Sequence, residues 1–403
     1  MLHKVLNGLV VAMALLGGAG TAAPPYPSGG ISIVNPVSIK NPWLTAPYNG
    51  TVGIPIPVAG KDADIPLPFP SQWAYDPYAK NPNTWNWSLT VERNMGNDIL
   101  LRGAYVGSRG THIIGGYEMN LPVYGPGATL ANRQDRRPDP NFQSINVSSG
   151  IADSYYHSLQ ITAEKRYSRG LTFLANYTFS KSIDTGSNDI GWSGAFGNQD
   201  PRGPWFNRGL SEFDRTHVVN SSVVWDLPKM TGGNRAVAAI VSNWQVSGLV
   251  FLRSGNPFTP VSSKGNSLSP GYSSVDRADV VPGVDWQLDG LSNHQKINDG
   301  YFNQKAFTST AIGTRGTAGR SIMRGPGFAS TDLMIGRIFP IHEFVRLQFR
   351  WEMFNAFNRV NFRTIPGNGA PAFADVDNAN FGKLLINGAQ DPRIMQFGLK
   401  LLF

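Results

Sequence analysis

The sequence predicts an all-β protein: an antiparallel transmembrane β-barrel, partial, of about 9–10 strands with long extracellular loops. Three observations predict it. Segments of roughly ten residues alternate apolar and polar side chains with period two, as strands between two different solvents do. Their connections are short after Arg93, Arg166, Leu227 and Phe339 and long near 107–152, 181–216, 255–330 and 359–391. The chain also stops on an alternating apolar strand at Phe403, where soluble chains tend to fray into water. A soluble sandwich has no reason for this asymmetry of connections; a membrane barrel has one.

Composition excludes several other classes. No apolar window of helix-spanning length occurs beyond the amino-terminus, which rules out a helical membrane protein. With 10 Trp, 45 Gly and 29 Pro, the chain reads as strands and loops. The absence of cysteine removes disulfide scaffolds, thiolate metal sites and a Cys nucleophile. A net charge of +8 raises the question of nucleic acid, but the basic residues are scattered and form no reader motif. No nucleic-acid partner is expected.

Residues 1–23 read as a signal peptide, with Lys4, an apolar run Leu9–Leu16 and the small-residue zone Gly20–Ala23. Proline at or next to the new amino-terminus disfavours that cleavage, and the alternative is a chance apolar stretch. Residues 24–83 are rich in Pro and Gly and read as an irregular segment holding at most one strand. The partial barrel then occupies residues 84–403.

The first strand, 84–93, puts Trp85, Trp87, Leu89 and Val91 on one face, and a short turn over 94–98 leads to a strand at 99–106. The next hairpin pairs 155–166 with 171–180 across Tyr167–Gly170; Ser158, Gln160, Thr162 and Glu164 share one face. Strands follow at 217–227 and 244–253, then at 332–339 and 344–357 around Pro340, and finally at 393–403. Arg346, Gln348, Arg350 and Glu352 fall on one face of their strand and are costly against hydrocarbon, so they are candidate lumen-facing residues. Trp85, Trp87, Trp225, Trp244 and Trp351 are then candidates for the aromatic girdles, although any one of them alone reads equally well as core.

The final stretch resembles the carboxy-terminal assembly signal of bacterial outer-membrane barrels through Gln396, Gly398, Leu401 and Phe403. That resemblance implies the cell outer membrane as the location, with its lipid and the barrel-assembly machinery as partners. An ordered set of motifs points further: Tyr105–His112, Ala163–Leu171, Tyr177–Lys181, Asp214–His217, Ser254–Thr259 and Phe354–Asn358. In this order they resemble the carboxy-terminal half of Oar-like TonB-dependent transporter barrels, over roughly residues 30–403. The resemblance implies a barrel of about 22 strands, an internal plug and energy from an inner-membrane TonB complex. Here no plug, TonB-contact segment or amino-terminal β-sandwich is found, so a TonB partner is expected only if a plug is supplied elsewhere.

Counting the segments gives nine strands, whereas bacterial single-chain barrels have an even number. An unclosed edge in lipid costs several kcal/mol per unsatisfied backbone group. Either residues 31–60 donate a tenth strand, or the chain is a truncated portion of a larger barrel; truncation is the preferred reading.

The residues that tempt a catalytic reading resolve into ordinary roles. Asp214 and His217 lie at a loop-to-strand junction with no activated nucleophile, and a local hydrogen-bonding role is expected. Gly313–Gly319 lacks the Lys-Ser/Thr ending of a phosphate loop and reads as flexible extracellular loop. The histidines have no ligand spacing, and Asp184, Asp189, Asp200 and Asp214 lack that of a calcium loop. Neither an enzyme nor a cofactor or metal site is expected. The leading function is uptake of a bulky nutrient through a TonB-dependent-type barrel. The alternatives are a small stand-alone pore or adhesin barrel and a secreted soluble β-rich binding protein.

Overall fold

The computed structural model describes residues 67–68, 71–123, 125–187, 204–229, 242–268, 276–342, 344–364, 372–385 and 391–403. The signal-peptide reading of residues 1–23 and the tenth-strand option at 31–60 lie outside them.

Nine long strands form one large antiparallel sheet in which each strand lies beside the next in sequence. They are β1 (Asn83–Gly96), β2 (Ile99–Glu118), β3 (Ile145–Ser168), β4 (Leu171–Asp184), β5 (His217–Asp226), β6 (Trp244–Arg253), β7 (Phe328–His342), β8 (Val345–Phe354) and β9 (Ile394–Leu402). All nine expected segments are strands. Five of them, β1, β2, β3, β4 and β7, outgrow the expectation, β2 and β3 the most: they run for 20 and 24 residues, so part of the expected loop 107–152 is strand. In the opposite direction, β8 ends at Phe354 rather than at Phe357. Asn355 and Asn358 take left-handed backbone there, with φ of 49° and 51°, and break the ladder. The Asn355 side chain then fastens the turn, donating to Arg359 O at 3.0 Å and accepting from Arg359 N at 3.0 Å.

The turns are tighter than the sequence suggests. Asn97 and Asp98 alone join β1 to β2, since Gly96 pairs with Ile99; Arg169 and Gly170 alone join β3 to β4, since Ser168 pairs with Leu171. Both residues of each pair have positive φ (51° and 61°, 51° and 79°), as a type I′ turn requires. Its twist matches that of the strands it joins, so the register is set locally. A bulge on the incoming strand precedes each turn, at Asn94/Gly96, Lys165/Ser168 and Pro340/His342.

The chain divides into two compact units. In the smaller, a buried Arg137 pairs with Glu118 at 2.6 Å, and Asn120 donates to the carbonyls of Asp139, Phe142 and Gln143 at 2.8–2.9 Å. One amide nitrogen thereby lies within hydrogen-bonding reach of three carbonyls of the same loop. The larger unit holds most of the sheet and a hydrophobic core made by the loops.

Candidate functional site: the two-faced sheet and the loop core

Register assigns each strand residue to a face. Trp85 and Trp87 lie across from Arg109 and Gly107; Phe173 and Leu171 lie across from Val223 and Trp225; Trp225 faces Val246; and Ile335 faces Trp351. Tyr105 bonds His157 at 2.7 Å, which ties the first hairpin to the same face as the second. All five candidate girdle tryptophans therefore share one apolar face. Trp87 lies on Gly107, where any Cβ would collide with the indole, so the glycine is required for that cross-strand contact. Trp85 and Trp87 sit toward the loop ends of their strands and Trp225 and Trp244 at the turn ends. Trp351 sits midway, stacked on Phe397 at 5.8 Å, and its indole nitrogen has no hydrogen-bond partner among the described residues.

Cations mark both ends of this face. Arg109 lies over Trp85 and Tyr155 at 5.9 and 5.2 Å on the loop side; Arg337 lies over Trp244 and Phe339 at 5.3 and 4.3 Å on the turn side. In each case the guanidinium itself lies over the aromatic rings, a cation–π arrangement.

The opposite face is polar. Glu92 and Arg102 pair at 2.7 Å, Thr162 bonds Asn176 at 2.9 Å, and Gln245 bonds Asp226 at 2.8 Å. Arg346, Gln348, Arg350 and Glu352 all lie here, across from Leu402, Lys400, Gly398 and Gln396. Glu352 is shared between Arg350 and Gln396, so the terminal strand is joined to its neighbour by side chains as well as backbone. Strand β6 breaks the pattern, placing Leu249 and Phe251 across from Ser222 and Asn220 on the polar face. Of the four terminal residues singled out, Leu401 is on the apolar face, and Gln396 and Gly398 are on the polar one. Phe403 follows the last strand residue and is 97% exposed. Nothing touches the space beside Gly398, so its missing side chain leaves room rather than relieving a clash.

The long loops between β6 and β7 and between β8 and β9 fold around a core that the sequence did not reveal. Phe302, Phe307, Met323, Phe373, Phe381 and Leu384 are buried together. Phe302 meets Phe307, Phe373 and Phe381 edge-on at 5.1–6.0 Å, the arrangement favoured by ring quadrupoles. Short ladders frame the core, pairing 261–262 with 276–277, 279–280 with 307–308, 257–258 with 323–324 and 363–364 with 384–385. The Gly313–Gly319 stretch, expected to be flexible loop, is instead packed: a Cβ on Gly316 would stand 1.8 Å from the Arg277 carbonyl.

Ion pairs to buried carboxylates tie the β6–β7 loop to the end of β4 and the loop that follows it. Arg320 binds Asp184 at 2.6 Å and Ser187 at 2.6 Å; Arg324 binds Asp214 at 2.6 Å. Asp214 also accepts from Ser182 N, while His217 bonds Tyr177 at 2.8 Å, so the pair that suggested a triad fragment is divided between two separate networks. Asp189 and Asp200 lie outside the described residues. Asp377 accepts from Ser262, Ser309 and Lys264. Burial pushes its carboxyl up, but those hydrogen bonds and the lysine charge outweigh burial and hold it below the usual carboxylate range. Asp276 moves the other way, because burial outweighs its bonds from Ser267 and the charge of Arg315. Among the described residues, no group of three or more metal-ligating side chains comes together.

A family model described as outer membrane beta barrel domain matches residues 13–396. Among solved structures, the outer membrane transporter YddB from Escherichia coli aligns with a TM-score of 0.38 and 9% identity, over 80% of this chain and 33% of that one. The chain thus spans about a third of that protein's length. No curated protein matches it.

Proposed function

The chain belongs to the outer membrane β-barrel domain family, a protein of the cell outer membrane, and from that premise we propose that it is the barrel portion of a TonB-dependent-type transporter. Such barrel families are typically non-enzymatic. The observation that carries the proposal is the division of the sheet between two-residue turns after β1 and β3 at one end, where only the β5–β6 connection, 227–243, is longer than the sequence predicts, and long, internally packed loops at the other. In this reading the loop side faces outward and binds a bulky nutrient, the polar face lines the path, and the apolar face meets lipid. A plug supplied from elsewhere blocks the path until the inner-membrane TonB complex displaces it.

Two measurements test this. The chain is expected to leave membranes only with detergent; release into plain buffer sinks the barrel reading. Growth on the transported nutrient is expected to require both the chain and an intact TonB complex. A growth defect on losing the chain that is unchanged in cells lacking TonB would refute energised uptake and favour a passive pore. Removing Phe403 is expected to lower assembly into the outer membrane, read as heat-modifiable barrel on a gel; undiminished yield would refute its role in assembly.

A further inference from the structure

Among the described residues, the two outermost strands of the sheet, β1 and β9, each hydrogen-bond to one neighbour only. Strand β1 is exposed along all fourteen residues, and β9 along all but Leu402. In hydrocarbon such edges leave backbone N–H and C=O groups without water, so a spanning sheet must have them paired. The nine strands alternate in direction. Strand β1 runs toward its turn at 97–98, and β9, following the loop after β8, also runs toward the turn side. Joining β1 directly to β9 would therefore make a parallel pair. A second copy inserted the same way round would offer the same parallel match, β1 against the partner's β9. Any antiparallel closure needs an odd number of additional spanning strands, the outer two running from the turn side to the loop side.

The segment next to β1 is poorly suited to supply them. From Pro24 to Pro70 no interval between prolines exceeds eight residues, and the longest charged one holds Lys61, Asp62 and Asp64. A spanning strand needs about 9–11 residues, and proline cannot donate within a central ladder.

We infer that the edges of β1 and β9 are docking edges for a complementary β-sheet of odd strand number from outside residues 24–403. This rests on the barrel-portion reading and specifies its partner. The complement would present an alternating outer strand to each edge, apolar where Trp87 and Leu399 lie and polar where Ser88 and Lys400 lie, so that the two faces continue across both seams.

Strand parity supplies the test. The full chain is refolded into phosphatidylcholine vesicles in three forms: as it is, with a short turn and a copy of Leu171–Asp184 added after Phe403, and with a copy of residues 171–226 added there. These carry nine, nine plus one, and nine plus two spanning strands. The ten-stranded form is expected to show a boiling-dependent shift on gels and to lose fast amide exchange along β1 and β9. The nine-stranded form is expected to show neither, and the eleven-stranded form to show no gel shift and to keep fast exchange along β1, its β9 being covered by the first added strand. A Ser88→Cys/Gly398→Cys pair in the unmodified chain is expected to remain unlinked. Intramolecular linkage would show direct closure, and linked dimers would show a second copy at the edge; either overturns the inference. Indistinguishable ten- and eleven-stranded forms, all inserted, would overturn it while leaving the membrane reading intact. If all three stay in buffer, both fail.

Discussion

The strands and the loop core use the same apolar residue types in opposite ways. Leu399 on β9 is 70% exposed, whereas Phe373 and Leu384 in the loops are each 1% exposed. A water-soluble sheet would have turned the strand residues inward, because burying such a side chain contributes about 1.5–3 kcal/mol. In the barrel reading proposed above, lipid is the solvent on that face. Beyond the lipid, the loops meet water and must build an ordinary core. One chain thus folds by two rules, and the change of rule falls where the strands end.

The comparison is broken most sharply from the loop side. Phe373→Ala removes a ring from the centre of the aromatic cluster and is expected to cost about 3–5 kcal/mol. If the loops and the sheet are stabilised separately, the loss appears as faster amide exchange and protease cutting within 257–324 and 363–385, while exchange in the strands stays unchanged. Equal loosening of both would show that the loop core and the sheet unfold as one.

From the sheet side, Leu399→Arg places a charge on the apolar face and is expected to destabilise the vesicle-bound form by roughly 2–4 kcal/mol near mid-membrane. Gln348→Arg, on the polar face of the neighbouring strand, is expected to cost well under half as much. Denaturant titration in vesicles checks the pair. Similar losses would mean that the two faces do not see different solvents.

These contrasts also explain what could be read from sequence. Period two is a local property, so Trp85 to Val91 or Arg346 to Glu352 declare both strand and face within a few residues. Turn positions were misjudged by a residue or two because the bulges at Asn94 and Lys165 absorb residues that otherwise count as turn. The loop core is different in kind. Phe258, Phe302, Phe373 and Phe381 are far apart with no period, and only the short cross-ladders bring them together. Arg320 and Arg324 were missed for the same reason: each satisfies a carboxylate more than a hundred residues away. The family motifs become physical after the fact. Gly255 in the Ser254–Thr259 motif passes so close to the Gly325 carbonyl that no side chain fits, and Asp214 in the Asp214–His217 motif receives Arg324. Trp351 shows the limit of face assignment, since periodicity places it on the apolar face without revealing its height along the strand.

A smaller effect probes the polar face alone. Thr162→Val removes the hydroxyl that bonds Asn176 at 2.9 Å, and cross-strand pairs of this kind contribute roughly 0.2–1 kcal/mol. The loss is expected in sheet stability by denaturant titration, with loop protection unchanged. A change in loop protection instead would contradict the separation.

The last contrast is in pH. Asp377 ties the 261–264 segment to Ser309 through its carboxylate, and its folded pKa lies below the ordinary value. An acid with a lowered folded pKa adds stability that is fully present above its unfolded pKa, about 3.9, and is lost as pH falls through the folded value. The loop core is therefore expected to loosen below about pH 4. Asp377→Asn should remove that dependence and lower protection at neutral pH toward the acid level. The backbone hydrogen bonds of the β-ladders carry no carboxylate and should show no parallel loss. Amide exchange between pH 3 and 7, corrected for intrinsic rates, separates the two. If the loops keep their protection through pH 3, Asp377 is not what holds them.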